Sequence, residues 1–373
     1  MNLDFSEEQK LLKQTARDYL DEHAPLTVCR EVLESDQPYA RELWKGAADM
    51  GWLGAIIPEE YGGAGFGHLE LAVIAEEIGR ALAPIPFSSS VYLATQAVLA
   101  AGSDEQRKQY LTRLASGEAI GTLALTEKAG QNAVEGVGAT FAGGRLSGTK
   151  LPVPDGDIAD FAVVAAREGG GISLVVVDLH GDGVQRNPVQ SFDPSRSMAR
   201  IVFDRAPAEP LGTSGQGADI VEKVLNRAAV LMAFEQVGGA ERALEDTREF
   251  ALGRYAFGRP IASFQAIKHR LADVWCSLEL ARSNGYYGAW ALHNDAPELG
   301  VAACISRIAA SDAFELAARE MIQFHGGVGY TWEYDCHLFY RRAMLLSVAL
   351  GSTASWKERL IQRLQASEAS EAA

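Results

Sequence analysis

One carboxylate in this sequence is set in an apolar run. Glu235 lies within Ala228 to Gly239, AAVLMAFEQVGG, and on a helix it shares a face with Ala228, two turns earlier. Loss of water on such a face raises a carboxyl pKa towards the range useful to a general base. The alternative is a helix glutamate that caps a terminus or pairs with an arginine elsewhere, and the sequence leaves both open. His269 and His325 sit in helical patterns, where a packed imidazole is commoner than a catalytic one. Trp275 and Trp332 read as core residues, and Glu358 with Arg359 as a solvated helix end. Cys29, Cys276, Cys304 and Cys336 are scattered without a C-x-x-C spacing, which argues against both a metal site and a disulfide framework.

Helices must hold these groups. Leu231, Phe234, Gly238, Ala240, Leu244 and Ala251 fit one with a buried face. Gly258 and Pro260 break it, since proline supplies no N–H and glycine weakens a helix interior. A second rhythm starts at Phe264 and runs through Ile267, Leu271, Val274 and Leu278, so two long helices are joined by a short turn. Earlier in the chain, Asp4 or Ser6 is placed to cap a helix beginning EEQKLLKQ. Further helices are expected at 39–50, 68–82, 88–101 and 104–114.

From Gly121 the pattern alternates. Strands are expected at 122–125, 137–141, 145–148, 161–166, 172–177 and 198–203, separated by glycine-rich turns. Helical rhythm returns near Asp219, with stretches at 219–253, 262–293, 297–325 and 338–364 forming an up-down bundle, then a frayed SEASEAA tail. The expected fold is α+β and multidomain: a helical domain at 1–120, a β-domain at 121–215 and a helical bundle at 216–373.

Charge and hydropathy exclude some functions. The 34 basic and 49 acidic residues give a net charge of −15, a poor match to nucleic acid. No run of 18 apolar residues exists, so no membrane span is expected. The N-terminal MNLDFSEEQ lacks the regions of a signal peptide, and a cytoplasmic location is expected.

The stretch RYAFGRPIASFQAIKHRLAD, Arg254 to Asp273, resembles a signature of the acyl-CoA dehydrogenase family, and the rest of the chain fits around it. QFHGGVGYTWE, Gln323 to Glu333, followed by Tyr340-Arg341-Arg342, resembles the family's C-terminal segment. The loop Ile57 to Gly63 is similar to a family phrase as well. The resemblance implies an acyl-CoA dehydrogenase-like fold with an N-terminal helical domain, a middle β-domain and a C-terminal four-helix bundle. It implies an FAD enzyme of fatty acid or steroid side-chain catabolism. Such an enzyme removes the α-proton of an acyl-CoA thioester and passes a hydride to flavin. It would pass electrons to an electron-transfer flavoprotein or similar acceptor, as a homo- or hetero-oligomer, dimer or tetramer. Carried over residue by residue, Arg254, Phe257 and Gln265 reach the FAD of a neighbouring subunit; Gln323, Gly326 and Gly327 lie along its dinucleotide; and Thr126 touches the flavin ring.

Three departures fall on the site. Where the family has Trp-x-Thr against the flavin, this chain has Pro152-Val153-Pro154, and its loop after Thr126-Glu127 lacks the family's glycine and serine donors. The usual catalytic glutamate is Leu350, and the position used by some relatives is Ala228. Glu235 then stands as a displaced base, suited to a branched or bulky acyl group. Two other readings stay open: a half-site subunit of a hetero-oligomeric acyl-CoA dehydrogenase, completing a partner's FAD site, and a related flavoprotein of different chemistry.

Overall fold

A computed structural model describes Phe5 to Glu371 except Ala129 and Asn132. Asp4, the alternative cap, lies outside the described residues, and Ser6 caps the first helix: its hydroxyl accepts from the Gln9 amide while Gln9 reaches back to the Ser6 N–H. The chain divides into two compact units by contact, one of residues 1–31, 68–83 and 229–373 and the other of 32–67 and 84–228. The first helix, Glu7–His23, packs on the helix His68–Arg80, and the helix Gly217–Gly253 begins in one unit and continues in the other.

The helical unit holds α1 (Glu7–His23), α4 (His68–Arg80), the larger part of α7 (Gly217–Gly253), α8 (Gln265–His293), α9 (Leu299–His325), α10 (Cys336–Val348) and α11 (Thr353–Glu371). Helix α9 is its axis. Ala303, Arg307, Ala310, Phe314, Ala317 and Met321 recur every three or four residues and are buried. The stretch 338–364 is two helices, not one: Gly351 takes φ +101° and the chain breaks between Val348 and Thr353. Trp275 and Trp332 are about half exposed, not core. Trp275 stands off the buried Val274–Leu278–Ala281 line of α8, and Trp332 stacks on His337 at 4.3 Å with Arg30 and Arg341 over its ring.

Helices α4 and α7 cross backbone to backbone. A Cβ on Gly79 would strike the Glu235 carbonyl, and one on Gly238 would strike that of Glu76. Gly238→Ala is therefore expected to destabilise the protein by about 1–3 kcal/mol, the cost of overpacking a core. An unchanged urea midpoint would mean that the crossing relaxes freely.

The second unit contains α2 (Leu26–Glu34) in part, α3 (Arg41–Asp49), a π-helical turn at Ser88–Thr95 leading into α5 (Gln96–Ala101), and α6 (Asp104–Ala115). Its sheet comprises β1 (Gly121–Ala124), β2 (Thr140–Ala142), β3 (Arg145–Pro154), β4 (Phe161–Glu168), β5 (Gly171–Asp178), β6 (Val184–Pro188), β7 (Met198–Pro207) and β8 (Glu209–Leu211). The order is β6-β7-β3-β2-β4-β5-β8, with β1 parallel to β4. The short, polar β6 and β8 were not expected from the sequence. Against β7, β3 slips register between Lys150 and Val153, spanning the two residues where proline enters and the Leu151-Pro152 bond is cis.

Candidate functional site

The two ends of the helical unit's signature segments are held together by rings. Phe250, in the last turn of α7, stacks on His325 at 4.0 Å, and Tyr334 meets both edge-on. His325 is buried, its Nδ1–H donates to the Met321 carbonyl at 2.7 Å, and burial holds its pKa below the usual value. His325 thus packs, as expected, while His269 is exposed on α8. One turn beyond Phe250 comes Arg254, whose N–H donates to the Phe250 carbonyl. Immediately beyond His325 come Gly326 and Gly327. The ring stack therefore sets the two segments side by side.

The turn after Arg254 is a hairpin, β9 (Tyr255–Ala256) paired with β10 (Arg259–Pro260), with Phe257 at its tip. Phe257 is 95% exposed and holds φ at +53°, a left-handed conformation uncommon for a bulky residue. Phe264 meets it edge-on at 6.2 Å, and the Arg259 guanidinium lies 4.1 Å over Phe264. Arg254 and Gln265, the first residue of α8, are exposed beside it, and Gln323, Gly326 and Gly327 are exposed at the end of α9. A Cβ on Gly258, Gly326 or Gly327 would meet nothing within 4 Å. This surface offers a forked cation, two amides, an aromatic ring and bare backbone, a donor set that fits a dinucleotide diphosphate.

Glu235 has another setting. Its side chain is fully buried, and its carboxylate interacts electrostatically with Arg307 of α9. Arg307 is fully buried as well. It donates to the Gln236 Oε1 and Leu346 carbonyl oxygens and to Ser311 Oγ at 3.0 Å, and burial pushes its pKa down to about 10. Leu346 lies in the last turn of α10, so Arg307 also satisfies a terminal carbonyl there. Leu350, four residues on, is buried, its carbonyl accepting from the Trp356 indole at 3.1 Å; Ala228 is buried in α7. Neither Arg307 nor this cluster entered the sequence reading. The available signal was an arginine on the line Ala303, Arg307, Ala310, Phe314, which a 3.6-residue period turns inward.

In the other unit, Thr126 is half-buried where β1 runs out, next to β3: Leu151 N–H donates to the Thr126 carbonyl at 2.8 Å, and the Thr126 hydroxyl lies 3.4 Å from the Pro152 carbonyl. Among the described residues no group of His, Cys, Asp and Glu is arranged to hold a metal ion, and no helix is long and apolar enough to cross a membrane.

Comparison with known proteins bears on the whole chain. The family model "Acyl-CoA dehydrogenase, N-terminal domain" matches residues 6–118, and "Acyl-CoA dehydrogenase, C-terminal domain" matches 215–365. Acyl-CoA dehydrogenase IpdE2 of Mycobacterium tuberculosis is 38% identical over 338 residues, 90% of this chain and 91% of that protein. Among solved structures, a chain of the ChsE4-ChsE5 complex from Mycobacterium tuberculosis superposes with a TM-score of 0.90 at 28% identity, covering 98% of this chain and 99% of that one. An acyl-CoA dehydrogenase from Bacillus anthracis complexed with FAD gives a TM-score of 0.90 at 26% identity, covering 98% of this chain and 68% of that one.

Proposed function

The chain belongs to the acyl-CoA dehydrogenase family, and from that premise we propose that it carries out FAD-dependent α,β-dehydrogenation of an acyl-CoA thioester bearing a branched or bulky acyl group. The observation that carries the proposal is the exposed set of Arg254, Phe257, Gln265, Gln323, Gly326 and Gly327 at one end of the helical unit. A nearly naked phenylalanine held at positive φ has an unfavourable conformation and an unfavourable exposure, and a bound partner offsets the second. In this reading Arg254 holds the diphosphate through paired N–H donors, Phe257 and Gln265 flank it, and the glycines let the backbone approach. Bound there, FAD would supply the hydride acceptor that no side chain of this chain provides. Glu235 takes the α-proton, and the electrons pass on to an electron-transfer flavoprotein or similar acceptor.

A second reading is favoured by the enclosure of Glu235 beside Arg307 and by the apolar Leu350 at the family's usual base position. In it, the chain is the half-site subunit that completes a homologous partner's FAD site, and the partner supplies the base. The ChsE4-ChsE5 neighbour is itself a complex of two named chains. Visible absorption of the protein purified alone separates the two readings. The first expects a stoichiometric flavin band that bleaches on anaerobic addition of acyl-CoA. A folded, colourless protein that gains flavin only with a second homologous chain would replace it with the second.

A further inference from the structure

Lys150 lies in the middle of β3 and is fully buried, a position at which an ammonium must be paired to be tolerated. Its Nζ donates to the Leu125 carbonyl and to Glu127 Oε1, each at 2.9 Å. The same carboxylate closes the loop that follows. Glu127 Oε2 accepts from the Gly138 N–H and Oε1 from the Ala139 N–H, both at 2.9 Å, so the segment between Glu127 and Gly138 is tied at its neck by one side chain. Burial alone would raise the Glu127 carboxyl, but Lys150 and the two amides outweigh it and hold it below the usual range. Burial pushes the Lys150 ammonium down, against the pull of Glu127. The pair thus lies astride Thr126, with Leu125 on one side bonded to Lys150 and Glu127 on the other.

This arrangement compensates for a local loss. Next to Lys150, β3 slips its register against β7 and carries proline at 152 and 154, so the strand that faces Thr126 has fewer N–H groups to fix it. What holds Thr126 to β3 is the Leu151 amide, one long hydroxyl contact to Pro152, and the buried ammonium with its carboxylate. We infer that Lys150, acting through Glu127 and the Leu125 carbonyl, is a positioning residue that fixes the edge at Thr126 against which the flavin ring is bound. The inference rests on the FAD reading above, and it assigns to Lys150 no contact with substrate or cofactor.

The test uses the protein as it assembles, freed of flavin and titrated with FAD. Lys150→Met keeps the aliphatic stem and removes the ammonium; Glu127→Gln keeps the size and removes the charge. Both are expected to weaken FAD binding at least about tenfold, the effect of losing a charge-assisted hydrogen bond, and to shift the visible band of the flavin that remains bound. Lys150→Arg is expected to recover most of the affinity, which a generally loosened fold would not. Wild-type affinity and an unshifted band in both variants would overturn the inference while leaving the FAD reading intact. A wild-type protein that takes up no FAD, alone or with a homologous chain, would overturn both. Where Lys150→Met does not fold, Glu127→Gln decides.

Discussion

Glu235→Gln is expected to slow the reduction of bound flavin by acyl-CoA by about 10²–10⁴-fold, the range that a general base supplies, with acyl-CoA binding little changed. Glutamine has the size and the acceptor oxygen of the native side chain but cannot take a proton, so the loss falls on the chemical step. The fold should survive, because Arg307 keeps Gln236, Ser311 and the Leu346 carbonyl as acceptors. Stopped-flow decay of the flavin band reads the rate directly. Flavin reduction at the wild-type rate would assign Glu235 to the bundle's interior alone and move proton abstraction to a partner chain. The comparison is informative because the rival roles act on different quantities: a base acts on a rate, whereas a buried charge that interacts with Arg307 acts on stability.

The sequence disclosed the fold wherever a period ran long. The α7, α8 and α9 stretches emerged because their apolar positions repeat over many turns, and the Gly258-Pro260 break between α7 and α8 is chemical. The α10–α11 break was missed because Ala349, Leu350 and Ser352 are compatible with a helix, and only the positive φ of Gly351 ends it. Strands β6 and β8 were missed because their sequences, VQRNP and EPL, carry polar residues and proline and gain order from their neighbours β7 and β5. The exposed candidate motif was legible as a string of residues, since Arg254, Phe257, Gln265 and the glycines are recognised by type and spacing. What brings its two halves together, the Phe250–His325–Tyr334 cluster that sets two distant segments side by side, depends on a tertiary contact. The pairing of Lys150 was illegible for the same reason, and for Arg307 the helical period shows only that the side chain turns inward. A buried cation is recognised by its partners, and apart from Ser311, one turn along from Arg307, those come from sequence positions that no local pattern links.

Arg307→Met is expected to destabilise the protein by about 3–5 kcal/mol, three buried hydrogen bonds from a charged donor at about 1.5–3 kcal/mol each, less the desolvation of the guanidinium that the variant avoids. Methionine fills much of the volume, so the loss is electrostatic and polar. It removes the donor that serves Gln236, Ser311 and the end of α10 together, and with it the positive charge that interacts with Glu235. The native arginine is itself held at a cost. With its pKa pushed down to about 10 by burial, the unfolded chain binds more protons than the folded one between there and the usual guanidinium range, and this group's contribution to stability rises with pH across that window. Below it both states are protonated and the cost is constant, so the effect of Arg307→Met should be flat through neutral pH. The double variant Glu235→Gln with Arg307→Met should lose less than the sum of the two single losses, since each single change already removes the one electrostatic interaction between the two groups. Urea midpoints of the four proteins give the coupling. Strict additivity would mean that Arg307 works through Gln236, Ser311 and the α10 terminus alone, leaving Glu235 electrostatically independent and available to the reaction.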